Sequence, residues 1–565
     1  MSTPARFPVV LLWHMHQPQY RDALSGEQVL PWTWLHAIKD YTDMAAHLEA
    51  VPRAQAVVNF TPVLIEQIEE LAATMRAHLA GHAATLDPVL TLLTDRPLPT
   101  EPARRLELVR ACLRAHRTHL IGRYPAYAAL AELAGTLADP EYIDYASEQF
   151  LRDLAVWFHL AWLGETVKRS HKQIEAMLQQ QRGFTAVQRR ALLELIAELL
   201  DGLLPRYRAL AGRGQIELSL SPYAHPILPL LIDLKSARET EPDAPLPAAG
   251  AEYPGGLQRA RWHLTEATEA IERGLSVKPA GCWPSEGAIS AATLQLLDEH
   301  GFKWTASGAA VLHGSLQGTA DGLPKLSGLQ RAFQVEGQQL RCYFRDDALS
   351  DLIGFTYSTW HADDAVQHFV RELERVATDN RRAGGDVLLI ALDGENAWEH
   401  YPFNGYYFVR GLYTALTEHP WLELTTLGRH CAEGKAPLPL PHVRAGSWVH
   451  GSLSTWIGSP DKNAGWDLLI EAKRACDAAL SGSRYSAGER RRIELQLAQC
   501  ESSDWFWWLG DYNPAEAVRE FEQLFRHQLT RLYEMLDLAV PATLGQVLSV
   551  GRGAPEGGGV MQRAR

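Results

Sequence analysis

Short apolar runs recur along the chain, and each ends in a polar or glycine-containing turn. Between them lie longer segments whose apolar residues repeat with the spacing of amphipathic helices. Strands that alternate with helices favour a parallel sheet, open or closed into a barrel, with function at the carboxyl ends of the strands. The seven predicted strands are residues 9–13, 56–60, 216–220, 278–283, 302–306, 340–344 and 387–392.

Two long regions have a helical pattern. One spans about residues 65–211, between the second and third strands, and includes "RRALLELIAELLDGLL". The other occupies residues 463–538, after the proline-rich "EGKAPLPLPHV". We therefore predict a catalytic barrel at residues 1–435 that contains a helical insertion, a C-terminal helical domain at 436–550, and a glycine-rich, disordered tail at 551–565.

The composition is that of a globular protein. The 565 residues are 46% hydrophobic and 21% charged, and a chain this long supports more than one core. The formal net charge of -13 argues against a nucleic-acid groove or an anionic membrane surface, because both need clustered lysine and arginine. A neutral ligand fits this charge better, and the 17 tryptophans offer faces for sugar rings.

Cysteine spacing and the N-terminus bear on location. The six cysteines are scattered without a C-x-x-C pair, which is typical of reduced thiols rather than of disulfides or a zinc knuckle. No apolar stretch reaches the length that spans a bilayer, and the N-terminal apolar run is too short and proline-broken for a signal peptide. We therefore predict a cytoplasmic protein that binds neither membrane nor nucleic acid.

Two carboxyl groups are predicted at the ends of buried strands. Glu286 lies in "GCWPSEG" after the fourth strand, and Asp393 follows the apolar run "VLLIAL" of the seventh. Gly394 would let another backbone or a ligand come close to Asp393. Both acids also have ordinary interpretations, Glu286 as a solvated turn residue and Asp393 as a helix cap. Paired carboxyl groups among tryptophans are nonetheless suited to glycoside cleavage, which needs no metal and no other cofactor.

Three further polar residues lie in or beside the apolar strands. Glu217 is inside "GQIELSL", where a carboxylate is costly unless it is paired or functional. Its ordinary interpretation is a glutamate that is hydrogen-bonded in the core or faces solvent. His14 and His16, in "HMHQPQY", are one residue apart at the end of the first strand and would point to one side. They could be metal ligands, sugar-binding groups or ordinary loop residues.

Six motifs, taken in order, resemble glycoside hydrolase family 57, the α-glucan-active family of α-amylases, amylopullulanases, branching enzymes and 4-α-glucanotransferases. One short motif is weak evidence, whereas six in order over nearly the whole chain are specific. The motifs are "HQP" at 16–18, "GQIEL" at 214–218, "WPSE" at 283–286, "ALDGEN" at 391–396, "GSWVHGSLSTWIG" at 446–458 and "SSDWFWWLGD" at 502–511.

The resemblance implies an α/β fold: a distorted (β/α)7 barrel with helical insertions, followed by a C-terminal α-helical domain that contributes to the active site. It implies a retaining reaction with Glu286 as nucleophile and Asp393 as general acid/base, their carboxyl groups about 5 to 5.5 Å apart. It makes Glu217 a support of the nucleophile, and we expect His14 to be structural. The implied sugar contacts are His16, Trp283, Trp448, Trp456 and Asp504.

The fourth motif and "FRDDALSDLIGF" at 344–355 resemble the amylopullulanase-like branch. This favours hydrolysis of α-1,4 bonds, with α-1,6 bonds as a second target, in intracellular glycogen or maltodextrin metabolism. Transfer stays open, as in a 4-α-glucanotransferase or branching enzyme, because a sugar hydroxyl can replace water when water is held back.

Two alternatives from other classes are also open. A metal-dependent deacetylase or mannosidase-like enzyme would use His14 and His16 as ligands together with Asp393 or Asp40. A noncatalytic glucan-binding protein would keep the aromatic cleft and lose one carboxylate, yet both Glu286 and Asp393 are present.

Overall fold

The computed structural model describes residues 6–317 and 330–553. Within these residues, ten strands form one sheet. In chain order they are β1 (Phe7–Met15), β2 (Ala56–Phe60), β3 (Ile216–Leu220), β4 (Gly281–Cys282), β5 (Trp304–Gly308), β6 (Phe333–Val335), β7 (Arg341–Arg345), β8 (Leu388–Asp393), β9 (Leu422–Leu424) and β10 (Leu438–Leu440).

Seven strands of the described chain are mutually parallel, in the order β7-β5-β4-β3-β2-β1-β8. The two ends of this series meet where the backbone N of Asp346, just after β7, donates to Leu389 O in β8 at 2.8 Å. The sheet is therefore a distorted (β/α)7 barrel, as predicted, and its carboxyl ends share one rim. The short strands β6, β9 and β10 lie outside the ring.

The seven predicted strands are all present. β8 is buried nearly throughout, because both faces of a parallel strand are covered. β4 contains only two residues, since Pro279 and Pro284 on either side have no N–H to donate to a neighbouring strand. The three strands outside the ring were not predicted, because three residues are too few for a recognisable pattern.

The chain between β2 and β3 is helical, as its apolar spacing predicts. Prolines begin several of its helices, and Thr185 begins the longest with a capping box to Gln188. These helices are Pro62–Leu79, Pro88–Thr91, Pro102–Ala111, Pro125–Thr136, Glu148–Trp162, Glu165–Ser170, Lys172–Gln180 and Ala186–Gly212.

Other helices connect the remaining strands. These helices are Trp32–His36, Thr42–Ala50, Leu228–Ile232, Gly256–Leu275, Ala291–Glu299, Ala309–Leu316, Asp347–Asp351, Ala362–Ala383, Tyr406–Glu418 and Leu427–Glu433. A turn of π-helix, Ala37–Tyr41, joins Trp32–His36 to Thr42–Ala50.

Helices follow the last strand and pack against the barrel: Pro460–Leu480, Ala487–Cys500, Ser503–Trp508 and Ala515–Met535. A buried cluster around Glu501 joins them to helix Gly256–Leu275, which leads into β4. Glu501 lies 2.7 Å from Arg259 and 2.8 Å from His263. Burial alone would raise the pKa of Glu501, but these two neighbours lower it to about 2.

The predicted domain limits stay predictions, and residues 554–565 of the predicted disordered tail lie outside the described residues. None of the helices in the described ranges has the length and apolarity that a membrane span needs.

Candidate active site

Polar side chains from four strand ends meet in one cavity at the carboxyl rim of the barrel. His16 follows β1, Glu286 follows β4, Arg345 ends β7 and Asp393 ends β8. All four line a cavity of about 1110 Å³, which accommodates several sugar units. Residues distant in sequence converge here because parallel strands place their carboxyl ends together.

Glu286 lies in a strained turn. Its backbone is left-handed (φ 56°, ψ 24°), a conformation that is rare outside glycine and is concentrated at functional sites. Trp448 binds it twice: the backbone N donates to Glu286 O at 3.1 Å, and the indole Nε1 donates to Oε2 at 3.0 Å. Gly308 permits this approach, since a Cβ there would lie 2.7 Å from Trp448 Cα. The Glu286 carboxyl group therefore has a defined position on the cavity wall.

Asp393 is the last residue of β8. The side-chain amide of Asn396 donates to Asp393 Oδ2 at 2.9 Å, which orients the carboxyl group. Gly394 permits a close backbone approach, as predicted: its N donates to His14 O at 2.6 Å, and a Cβ would lie 3.0 Å from Met15 Cγ. Asp393 is thus fixed in the same cavity as Glu286.

Burial raises the pKa of both carboxyl groups, to about 8 for Glu286 and about 6 for Asp393. The negative charge of Asp393 raises the pKa of Glu286 further. The Trp448 indole opposes this rise at Glu286, and the Asn396 amide opposes it at Asp393. Between about pH 6 and about 8 the pair therefore holds one proton, which is what a nucleophile and an acid require together.

Three histidines stack beside the carboxyl pair. His225, in the turn after β3, faces His16 at a centroid distance of 3.9 Å, and His14 lies 5.0 Å from His225. The Nδ1 of His14 lies 2.6 Å from Asn59 Oδ1 in β2. Burial and the nearby His16 lower the pKa of His14 to about 3, so this ring is neutral at pH 7.

Asp504 brings the C-terminal helices into the cavity. Its Oδ2 lies 2.7 Å from His16 Nε2. Its neighbour Ser503 is tied to the turn after β3, since its N donates to His225 O at 3.0 Å and its Oγ lies 2.9 Å from His225 Nδ1. Helix Ser503–Trp508 is therefore anchored on a strand end of the barrel.

Comparison of the sequence with known family profiles identifies the family of this chain. A family profile described as Glycosyl hydrolase family 57 matches residues 10–437, which is most of the chain. The chain belongs to glycosyl hydrolase family 57. It is therefore a glycoside hydrolase, and the family predicted from the six motifs is confirmed. No curated protein matches the sequence.

Solved structures share the fold of this family 57 enzyme. A branching enzyme from Thermococcus kodakaraensis has a TM-score of 0.57 at 14% identity, over 97% of this chain and 98% of its own. The alpha-amylase AmyC from Thermotoga maritima has 0.54 at 14% identity, over 94% and 93%. The 4-alpha-glucanotransferase from Thermococcus litoralis has 0.51 at 12% identity, over 94% and 60%. Identities this low show a common fold.

The geometry of the histidines bears on the metal alternative for this family 57 enzyme. One ligand atom each from His16, His225 and Asp504 lies within 4.8 Å of the others. The rings of His16 and His225, however, are 24° from parallel and 3.9 Å apart. Imidazole lone pairs lie in the ring plane, so these two do not converge on a point about 2.0–2.1 Å from both nitrogens, as zinc requires. The stacking favours catalysis without metal, which stays a prediction.

The carboxylates considered as partners of that metal are also engaged elsewhere. Asp40 accepts from Lys39 Nζ at 2.7 Å and lies 2.6 Å from His36 Nδ1. Asp393 is bonded to Asn396. His14 directs its Nδ1 to Asn59 and also lines the cavity, and its structural role stays a prediction.

Two predicted sugar contacts, Trp283 and Trp456, do not line the cavity and are fully buried. Trp283 packs edge-on against Trp448 at 4.9 Å, and Trp456 packs against Trp507 at 6.1 Å. It is Trp448 and Trp507 that line the cavity. The two predicted residues therefore support the indoles that face the substrate space.

Glu217 also differs from its predicted role. It is the second residue of β3, near the amino end of the barrel, whereas Glu286 lies beyond the carboxyl end of β4. Its oxygens accept hydrogen bonds from Trp304 Nε1 and Gly428 N, both at 2.7 Å. Glu217 therefore ties β3 to β5 and to helix Leu427–Glu433, and it does not reach the nucleophile position. This is the hydrogen-bonded core alternative.

The other predicted sugar contacts, His16, Trp448 and Asp504, do line the cavity. Both ring nitrogens of His16 already have partners, Thr61 Oγ1 at 3.0 Å and Asp504 Oδ2 at 2.7 Å. A sugar hydroxyl that bonds to His16 would replace one of these. In this structure the contribution of His16 to the cavity is to position the carboxyl group of Asp504.

Sequence reasoning assigned no role to Arg345, Glu395 and His225. Arg345 donates to Ala391 O at 3.0 Å, and its guanidinium lies 4.6 Å from the Trp448 ring centroid. Glu395 accepts from His16 N at 3.3 Å, and burial raises its pKa well above the usual range. Treating every polar residue near a strand's carboxyl end as a candidate would have found the first two. The stacking of His225 on His16 has no sequence signal.

Proposed function

We propose that this family 57 enzyme is a retaining hydrolase of α-glucans or maltooligosaccharides. It would cleave α-1,4-glucosidic bonds, with α-1,6 bonds as a second target, in the cytoplasm. The observation that carries the proposal is the pair Glu286 and Asp393, two partly buried and electrostatically coupled carboxyl groups on one cavity. The names of the similar structures, a branching enzyme, an alpha-amylase and a 4-alpha-glucanotransferase, support an α-glucan as substrate.

In the first step, protonated Asp393 donates its proton to the glycosidic oxygen while the Glu286 carboxylate attacks the anomeric carbon. The bond between that carbon and the glycosidic oxygen breaks, and the leaving sugar departs with a new hydroxyl. A glycosyl ester on Glu286 remains. The Trp448 indole, 3.0 Å from Glu286 Oε2, orients the attacking carboxylate.

In the second step, the Asp393 carboxylate takes a proton from water, and the water oxygen attacks the anomeric carbon of the ester. The ester bond breaks, Glu286 returns as a carboxylate, and Asp393 is again protonated. A sugar hydroxyl in the place of water would give a transfer product by the same steps, so hydrolysis and transfer share this machinery.

Substrate must determine which acid carries the shared proton. In the free protein the higher pKa belongs to Glu286, whereas the first step needs the proton on Asp393. A glycosidic oxygen beside Asp393 accepts a hydrogen bond and favours its protonated form. Positive charge developing at the anomeric carbon favours the Glu286 carboxylate, as does the Trp448 N–H. Bound substrate therefore moves the proton to the productive position.

Product analysis on amylose, pullulan and single maltooligosaccharides tests the proposal. Short maltooligosaccharides from amylose indicate α-1,4 hydrolysis, and maltotriose from pullulan indicates α-1,6 hydrolysis. Products longer than the starting oligosaccharide would show that the enzyme transfers glycosyl units to sugars instead of hydrolysing the bond. Glu286→Gln should abolish every product, and Glu423→Gln, an exposed residue of β9, is the matched control. The proposal fails if the wild-type protein acts on no α-glucan.

A further inference from the structure

A second group of cavity residues lies beyond the carboxyl pair, on the side formed by helix Trp32–His36 and the helical region between β2 and β3. Trp32, His36 and Trp162 all line the cavity. Trp32 and His36 are four residues apart and so share a helix face. Trp32 is partly exposed, and its ring centroid lies 6.2 Å from that of Trp162. The aromatic face of Trp32 and the polar ring of His36 therefore line the same part of the cavity.

His36 has a fixed orientation. Its Nδ1 lies 2.6 Å from Asp40 Oδ2, and Asp40 Oδ1 accepts from Lys39 Nζ at 2.7 Å. A carboxylate bonded to an ammonium group only accepts, so His36 Nδ1 carries the hydrogen. The Nε2 atom is then the ring nitrogen left for the cavity that His36 lines. Carboxylates orient the ligating histidines of metal sites in the same way.

The Lys39–Asp40 pair is costly to bury. The side chain of Asp40 is 0% exposed and that of Lys39 is 1% exposed. A buried ion pair is weak evidence for stability, because the loss of hydration offsets the attraction between the charges. The pair lies in the π-helical turn Ala37–Tyr41, and such turns are frequent at functional sites. The function that we assign to this pair is to hold the His36 ring in one orientation.

Trp162 is fixed as well. Its Nε1 donates to Arg114 O at 3.1 Å, and Lys39 Nζ lies 5.0 Å from its ring centroid. Its ring meets His36 edge-to-face at 5.8 Å. Trp162 is therefore a rigid wall behind Trp32 and His36, and a ligand bound there would cost little side-chain ordering.

We propose that Trp32 and His36 form a glucosyl subsite that binds a glucose unit of an α-glucan chain away from the bond being cleaved. The stacking face of Trp32 suits the apolar side of a pyranose, and His36 Nε2 suits one of its hydroxyls. We expect a neutral ligand, because Lys39 is paired with Asp40 inside the protein and its charge needs no balancing charge from the ligand. This inference rests on the proposed function, since it names where a longer substrate of the same cavity binds.

The subsite is electrostatically connected to the cleavage site. Asp40 lies near enough to Glu395 for its charge to contribute to the raised pKa of that carboxyl group. Glu395 in turn accepts from the backbone N of His16. Both sites also line one continuous cavity, so a chain of several glucose units can occupy both.

The test is chain-length selectivity, defined as kcat/KM for maltoheptaose divided by kcat/KM for maltotriose. Trp32→Ala and His36→Ala should each lower this ratio, by about tenfold for the tryptophan. Trp32→Phe keeps an aromatic face and should retain most of the ratio. Trp360→Ala is the control, because Trp360 is an exposed tryptophan that lies outside the cavity. A loss of kcat/KM that is equal for both oligosaccharides, or an unchanged ratio, would overturn the subsite.

Binding measurements separate this inference from the proposed function. Calorimetric titration of the Glu286→Gln protein with maltoheptaose and maltotriose reports the subsite without turnover. Weaker maltoheptaose binding after adding Trp32→Ala supports the subsite even if the wild-type protein cleaves no α-glucan. Equal maltoheptaose affinity with and without Trp32→Ala refutes it even if cleavage is efficient.

Discussion

The indole of Trp448 donates a hydrogen bond to the carboxyl group of Glu286 at 3.0 Å, although 162 positions separate the two residues. Trp448→Phe removes this donor and keeps an aromatic ring. Because the donor favours the carboxylate, its loss should raise the pKa of Glu286 further. Glu286 has the higher pKa of the pair in the free protein, so the basic limb of the kcat/KM profile should move to higher pH. We expect kcat to fall by about tenfold or more, since hydrogen bonds to charged groups are strong. A basic limb that does not move would contradict this role, and Trp360→Phe is the control.

The wild-type enzyme should show a bell-shaped dependence of kcat/KM on pH, centred near neutrality. Below about pH 6 both Glu286 and Asp393 are protonated and the nucleophile is lost, whereas above about pH 8 both are ionised and the acid is lost. Initial rates on a maltooligosaccharide well below KM measure this. A profile that is flat across this range would show that the pair does not supply both groups.

Azide trapping distinguishes the two acids. With an aryl α-maltoside, Glu286→Ala should react with azide from the face that the carboxylate has left, which gives the β-glycosyl azide. Asp393→Ala should still form the glycosyl ester, and azide should then give the α-glycosyl azide. Without azide, each variant should lose activity by about 10³-fold. NMR of the products determines the anomeric configuration, and the opposite pattern would exchange the two roles.

Removal of divalent metals should leave activity unchanged. The rings of His16 and His225 lie nearly parallel, so their lone pairs do not meet at one ion. Dialysis against a chelator, with metal analysis before and after, measures the effect. Loss of activity that zinc restores would favour the metal-dependent alternative and would make Asp504 a candidate ligand.

Glu501 should be important for stability rather than for chemistry. Glu501→Gln leaves Arg259 buried without its anion, and we expect a loss of about 3 kcal/mol in the free energy of unfolding. The folded pKa of Glu501 is lowered to about 2, so its contribution is complete above the ordinary glutamate pKa and is lost as the pH falls toward about 2. Denaturant unfolding at several pH values measures this. The exposed Glu471→Gln is the control, and equal midpoints for the two variants would contradict the prediction.

The positions of the barrel strands and of the two acids were predictable from local sequence. A parallel strand buried on both faces needs an unbroken apolar run, and such a run ends where Asp393 begins the turn. The same logic places Glu286 after β4, although neighbouring prolines reduce that strand to two residues. Family 57 membership was also predictable from the sequence, because short motifs in a fixed order are specific, and the family profile matches residues 10–437.

The direction in which side chains face could not be predicted in the same way. Trp283 and Trp448 both lie in motifs, yet one is buried behind the other, and only their packing shows which ring lines the cavity. Glu217 lies in a motif too, but its position near the amino end of β3 directs it to Trp304. Sequence spacing reports that a residue lies near a strand, whereas three-dimensional packing determines its partners.

By itself the sequence determined the element order, the barrel class and the acids at the strand ends, because these depend on local apolar patterns and turn chemistry. Only the tertiary structure decided the rest of the site. The bond between His16 and Asp504 joins residues 488 positions apart, and the stacking of His225 on His16 depends on two strands meeting at one rim. Such contacts form because the closed barrel brings its carboxyl ends together, which no local pattern encodes.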